Sequence, residues 1–297
     1  MKMRFFSIAI ALIVYTTAYS QDYAFKVLVN KGKNEVKVGA NWEPVKVGAS
    51  LKTADELKVT DNAYVGLIHS SGKPLEVKSA GRYRVADLSA KVGTGASVLN
   101  KYTDFILSSA QKKNNNLAAT GAVHRGVDNI KVYLPRSSSY VYNDTVSIQW
   151  EKDKAMGAPF VVTFTSLFGD ELHKVETSDN SVSINLNDAV FANENDIMVK
   201  VTSKKDKKES EVHTLRKFSK AEKEKVRSAF ADVQAQTAEK TALNSLIQAG
   251  FFEQNKLLVD AVSAYQKAIK LEPGVQAYQE AYDAFLLRTG IKVPVKK

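Results

Sequence analysis

Four histidines, His69, His124, His173 and His213, are the residues of this 297-residue chain best suited to bind a metal or pass a proton near neutral pH. They occur singly. A zinc hydrolase pairs its ligands, as in H-E-x-x-H, so that two imidazoles share one helical face; no such pair occurs. His69 and His213 fall on strand-like segments and read as structural or surface residues, while His124 stands beside Arg125 in a polar loop. The chain has no cysteine, which removes thiolate nucleophiles, a disulfide framework and cysteine-ligated metals. It has no G-x-S-x-G elbow for a serine nucleophile. Acidic neighbours such as Asp170 and Glu171 lie in turn-forming stretches where water keeps both ionised, so a general acid has no candidate. Two glycine clusters also fall short of a phosphate site. GTGAS (93–97) lacks the last glycine of a dinucleotide fingerprint. In SSGKPLEVK, Pro74 follows Gly72-Lys73 and the next residues alternate like a strand, so Gly72 serves a hairpin bend. The expectation is a protein that is not an enzyme, with no catalytic residue, no cofactor and no metal.

What remains is charge and surface. Lys204, Lys205, Lys207 and Lys208 open the densest cationic stretch of a chain whose formal charge is +10. Acids interleave it, so a solvated hairpin tip and helix start explains it most simply, and a surface for an anionic partner is the sharper reading. Nucleic acid is not expected, because aromatic residues do not interleave the basic ones. Asn143-Asp144-Thr145-Val146 makes Thr145 a candidate glycosylation acceptor.

The first twenty residues match an export signal. Lys2 and Arg4 precede the apolar run FFSIAIALIVY, and Ala18 and Ser20 supply the small residues that place cleavage between Ser20 and Gln21. The apolar run is too short to span a bilayer, no later segment is long and apolar enough, and no cysteine is present for a lipid anchor. A soluble exported protein, periplasmic or secreted, is expected.

Periodicity places these residues on elements. From Phe25 to Val85 the pairs Val36/Val38, Val45/Val47, Leu57/Val59 and Leu75/Val77 predict short strands, broken by turns at NKGKN (30–34), ANWEP (40–44), TDNA (60–63) and SSGKP (70–74). Leu99, Tyr102, Phe105, Ile106 and Ser109 predict one helical face within 95–112, followed by a polar linker to Gly121. Strands are predicted again at 130–135, 146–150, 160–167, 181–186, 196–201 and 211–216, with LFGDEL and SDNS as turns. Ser219 and Glu222 form a capping box that starts a helical region running to Gly290.

Three stretches resemble known families. W-x-P-V-x-V-G-A-S-L-x-T-A-D-E-L-x-V-T-D-N-A-Y-V-G-L, Trp42 to Leu67, with the SSG turn after it, resembles the periplasmic FecR-type domain. L-P-x-S from Leu134, the aliphatic strand ending in Trp150, and F-V-V-T-F from Phe160 resemble an immunoglobulin or fibronectin type III-like domain. Ala249, Phe252, Ala261, Tyr265, Ala268 and Pro273 resemble one tetratricopeptide repeat: small residues let two helices approach, aromatics fill the gap and proline ends the unit.

The resulting expectation is a multidomain β-then-α chain. It comprises a signal peptide (1–20), a FecR-like antiparallel β roll or sheet (21–92), a linking amphipathic helix and linker (93–120) and an Ig-like β-sandwich (121–217). A tetratricopeptide-like helical domain (218–290) and a basic tail (291–297) complete it. The resemblances imply a bacterial cell-envelope protein that works by presenting surfaces, with the sheet domain and the helical end on different partners and the sandwich as spacer. The expected partner is an envelope protein. The alternatives are peptidoglycan or another anionic glycan, or the receptor that a FecR-like accessory of surface signalling or transport would contact. No integral membrane segment is expected after signal cleavage.

Overall fold

The computed structural model describes residues 23–93, 95, 97–111, 129–136, 139–151 and 157–292. The signal segment with its Ser20–Gln21 cleavage site, the linker at 112–121, His124 and tail residues 293–297 lie outside the described residues.

Eight strands come first: β1 (Phe25–Lys31), β2 (Glu35–Val38), β3 (Asn41–Pro44), β4 (Ser50–Leu51), β5 (Glu56–Val59), β6 (Tyr64–His69), β7 (Pro74–Val77) and β8 (Gly81–Arg84). They form two antiparallel sheets, ordered β4-β1-β6-β7 and β3-β2-β5-β8. Phe25, Val27, Leu51, Val65 and Leu67 from one sheet and Val36, Leu57 and Val59 from the other share a core. A bulge at Leu28 shifts the register of β1 between Val27 and Val29, and Leu28 and Val29 join a second core on the outer side of the sheet. The 70–74 segment is the predicted bend: the His69 N–H donates to the Lys73 carbonyl at 2.8 Å and Gly72 adopts φ +93°.

Two local expectations fail here. Of ANWEP only Ala40 lies in a turn and Asn41–Pro44 is strand, because Gly39 at φ +63° makes a tight two-residue hairpin with Ala40 that pairs Val38 with Asn41. Val45 and Val47 are not in a strand. Pro44 lacks the amide to continue the ladder and Gly48 at φ +85° turns the chain, leaving Val45 buried and Val47 exposed.

Helix α1 (Val85–Val92), which the strand pattern did not predict, buries Val85 and Leu88; α2 (Asn100–Gln111) follows. A second β region contains β9 (Ser139–Val141), β10 (Thr145–Gln149), β11 (Phe160–Thr165), β12 (Glu171–Thr177), β13 (Ser181–Asn185), β14 (Asp196–Ser203) and β15 (His213–Lys217). A mixed five-stranded sheet, ordered β12-β11-β14-β15-β9 with β15 and β9 parallel, shares a core with the two-stranded β10-β13 sheet; Trp150 is fully buried there. IKVYLP is not a strand, and only Ile130 and Val132 make isolated bridges. Strand β12 is not among the predicted strands, and its first two residues, Glu171 and Leu172, fall in the LFGDEL stretch expected to be a turn. A register shift opposite Phe164 and Thr165 leaves Leu172 as an extra residue, so Leu172 and Val175 lose the two-residue spacing that marks a strand.

Four helices end the described chain: α3 (Lys220–Gln236), α4 (Ala242–Gln254), α5 (Leu258–Leu271) and α6 (Gln276–Arg288). The coarse expectation holds: antiparallel β sheets, then a mixed sheet, then a helical region. Both bonds of the Ser219–Glu222 capping box are present, and Gly290 at φ +72° follows the last helix. Helix α4 is buried on nearly every side because α2, α3, α5 and the outer face of β1 and β6 surround it. Val259 of α5 meanwhile plugs the core of the second β region. The helices therefore touch both β regions. Among the described residues no helix is long and apolar enough to cross a membrane.

Candidate functional site

One polar face of α5 runs along β10. Asp260, Ser263 and Gln266, three residues apart, fall on the same side of the helix. Asp260 accepts the backbone N–H of Tyr142 at 2.9 Å and of Asn143 at 2.7 Å. Ser263 accepts the N–H of Ser147 at 3.0 Å, an amide that points away from β13. Gln266 accepts from the Ser147 hydroxyl and donates to Gln149 at 2.9 Å and to the Tyr282 hydroxyl at 3.1 Å. Side chains on one helix thus stand in for the neighbouring strand that β10 lacks. Asp260 is almost fully buried. Burial pushes its carboxyl up to about 6, against the Tyr142 and Asn143 amides that favour the charged form.

Beyond this contact the two regions diverge into a cleft of about 1070 Å³. Thr145, Ser147, Gln149, Ser181 and Ser183 line one wall, and Gln234, Thr237, Gln248, Lys267 and Lys270 contribute to the other. Hydroxyl and amide groups dominate, and Lys240, Lys267 and Lys270 add positive charge. Phe230 and Phe252 reach the lining but are buried, so they offer no face for stacking. At the mouth, Asp144 pairs with Lys223 of α3 at 2.5 Å, and that ammonium holds its carboxyl below the usual range. Thr145 is exposed beside it as the first residue of β10.

The opposite junction is closed. Glu76 of β7 accepts from the Tyr64 hydroxyl at 2.7 Å and from the N–H of Leu243, in the first turn of α4, at 2.9 Å. Tyr64 and Tyr278 hydroxyls are 2.6 Å apart, and Lys78 bridges Glu76 at 3.0 Å and Glu272 at 2.5 Å. Burial pushes Glu76 up, but the bonds from Tyr64, Leu243 and Lys78 outweigh it and leave the carboxyl below its ordinary value.

No family model matches the chain, and no curated protein matches it.

The sequence-predicted residues lie elsewhere. Lys204, Lys205, Lys207 and Lys208 form the β14–β15 turn, outside the cleft lining; Lys204 pairs with Glu176 at 3.0 Å and Asp206 binds the Gly157 amide at 2.6 Å. His69 is held between Ser71 and Ser89, both at 2.8 Å, which ties the hairpin to α1; burial first, and Lys73 second, lower its pKa. His213 is buried against the Pro135 carbonyl, and His173 packs between Phe164 and Phe191. Of the predicted site residues that are described, only Thr145 reaches the cleft. The sequence reading missed Asp260, Ser263 and Gln266, although LVDAVSAYQK carries their signal: three polar residues at three-residue spacing on a helix otherwise built for a core.

Proposed function

We propose that the chain is an exported, non-enzymatic binding protein of a bacterial cell envelope, and that the cleft between the second β region and the helices receives its protein partner. The reading combines a FecR-like first module, an Ig-like sandwich and a tetratricopeptide-like helical unit. The antiparallel strand succession with β9 parallel to β15, and the buried Trp150 at the end of β10, support the second of these. Helices α4 and α5, with Ala249, Ala261 and Ala268 buried between them and Pro273 beyond, support the third. One observation carries the functional reading. Two regions of the chain assemble a large concave surface of hydroxyl, amide and lysine groups, an arrangement suited to recognising a polar chain and lacking a shielded acid-base pair. The absence of an exposed aromatic in that lining favours a protein partner over peptidoglycan.

The test is retention of envelope proteins by the full chain and by a Lys267→Glu/Lys270→Glu variant, both residues being exposed. The expected result is a specific protein lost on charge reversal. Co-sedimentation with purified sacculi that is abolished by reversing Lys204, Lys205, Lys207 and Lys208 and unaffected by the cleft variant would replace this reading with glycan binding.

A further inference from the structure

One edge of β13 is open, and it borders the cleft. In the β10–β13 ladder the hydrogen-bonded pairs are the even-numbered ones: Trp150 donates to the Asn180 carbonyl at 3.0 Å and Leu186 to that of Asp144 at 2.7 Å. Ser181, Ser183 and Asn185 therefore turn their backbone groups away from β10. The Asn185 carbonyl is taken by the Asp188 amide at 3.1 Å, whereas the main-chain groups of Ser181 and Ser183 have no partner among the described residues. Ser183 and Asn185 are exposed. On β10 two of the four equivalent groups are occupied, the Ser147 N–H by Ser263 and the Gln149 carbonyl by the Tyr133 amide.

The sequence of this edge is equally distinctive. Exposed edges invite pairing, and proteins blunt them with charge, proline, bulges or short strands. Among the described residues every other sheet edge carries such a device, except β10, which α5 covers. β4 and β9 are two and three residues long; β3 ends in Pro44, and β7 begins with Pro74. β8 carries Arg82 and Arg84, while β12 carries Glu171, Lys174 and Glu176 and the bulge. Strand β13, Ser-Val-Ser-Ile-Asn, has no charge, no proline and no bulge.

We propose that the free edge of β13 receives an extended polypeptide segment as an added strand, with acidic side chains alternating with apolar ones. This deepens the cleft reading and rests on it. Backbone pairing would supply affinity, and the alternate side chains selectivity. On one face they enter the cleft toward Lys267 and Lys270. On the other they continue the surface of Val182, near the half-buried Leu172 and Val175 at the margin of the core. A second copy of this chain is disfavoured as occupant, since edge-to-edge pairing would bring two lysine-bearing clefts together.

The experiment is amide hydrogen exchange by NMR on the full chain, titrated with a short blocked peptide alternating valine and glutamate. At saturation the Ser183 and Asn185 amides should exchange at least about tenfold more slowly, with Val182 and Ile184, already in the ladder, unchanged. Ser183→Pro removes an outward donor that the native ladder does not use, so it should keep the thermal midpoint and lose the peptide; Ser181→Pro is the second variant should the first misfold. No protection at millimolar peptide, or undiminished binding by a folded proline variant, overturns the proposal. So does the same protection appearing on concentrating the protein alone, which would assign the edge to self-pairing. If the cleft charge reversal abolishes capture of the envelope partner while Ser183→Pro retains it, strand addition fails and the cleft reading stands.

Discussion

Asp260 and Tyr142 are 118 positions apart in sequence and 2.9 Å apart in the structure, a helical carboxylate against the backbone amide that follows β9. Together with the Asn143 amide at 2.7 Å, this contact ties the second β region to α5 beside the cleft.

The same contact makes stability depend on pH. The Asp260 carboxyl is raised from 3.8 to about 6 by burial, so the folded state holds a proton that the unfolded state has released. Its contribution is full below about pH 4 and is lost as pH rises through about 6, a change of at most about 3 kcal/mol. Denaturant unfolding of wild type and Asp260→Asn from pH 4 to 7 should show that slope in the former only. Asp260→Ala should cost about 2–4 kcal/mol, because it orphans two amides.

At the other junction the sign reverses. The Glu76 carboxyl lies below its ordinary value of 4.5, so its contribution is present above that pH and lost as pH falls through its folded value. Tyr278→Phe removes one hydrogen bond and should cost about 1 kcal/mol, whereas Glu76→Ala removes the acceptor of both the Tyr64 hydroxyl and the Leu243 amide and should cost about 2–4 kcal/mol. A double-mutant cycle of the two substitutions should show coupling of about 0.5 kcal/mol or more.

Gly250 lies where α4 crosses α2. A Cβ there would stand 3.1 Å from Ile106 Cδ1 and 3.4 Å from the Tyr102 carbonyl. Gly250→Ala gains about 1 kcal/mol of helix propensity against a contact that a flexible isoleucine can relieve, and should be near neutral. Gly250→Val should destabilise by about 1–3 kcal/mol through overpacking, measured as a fall in the denaturation midpoint.

The Ser219–Glu222 capping box gives a local comparison. Ser219→Ala should cost about 1 kcal/mol and leave both junctions unaffected, read as lost protection in the first turn of α3 alone.

Ser219 was legible because a cap is written within four residues. Gly72 and the strands around it were legible for the same reason: period-two alternation and a turn glycine are local properties. The Val45–Val47 stretch and β12 were misread where one residue, a proline or a bulge, broke the period that a strand normally shows. Helix α4 was recognisable as helix, but its burial depends on what surrounds it. Asp260 was invisible as a site because nothing near it in the chain says that a strand edge waits more than a hundred residues away.

Much of the local order was thus determined by the sequence alone: most of the strands, the α2 face, the hairpin at Gly72 and the cap at Ser219. Those features follow from side-chain period and backbone angle, which act over a few residues. Only the tertiary structure decided that the helices join both β regions, that Asp260 closes one junction and Glu76 the other, and that β13 keeps an open edge beside a polar cleft. Those outcomes depend on which unpaired backbone groups meet which side chains once the chain has closed on itself, and such distances are not encoded in any local spacing.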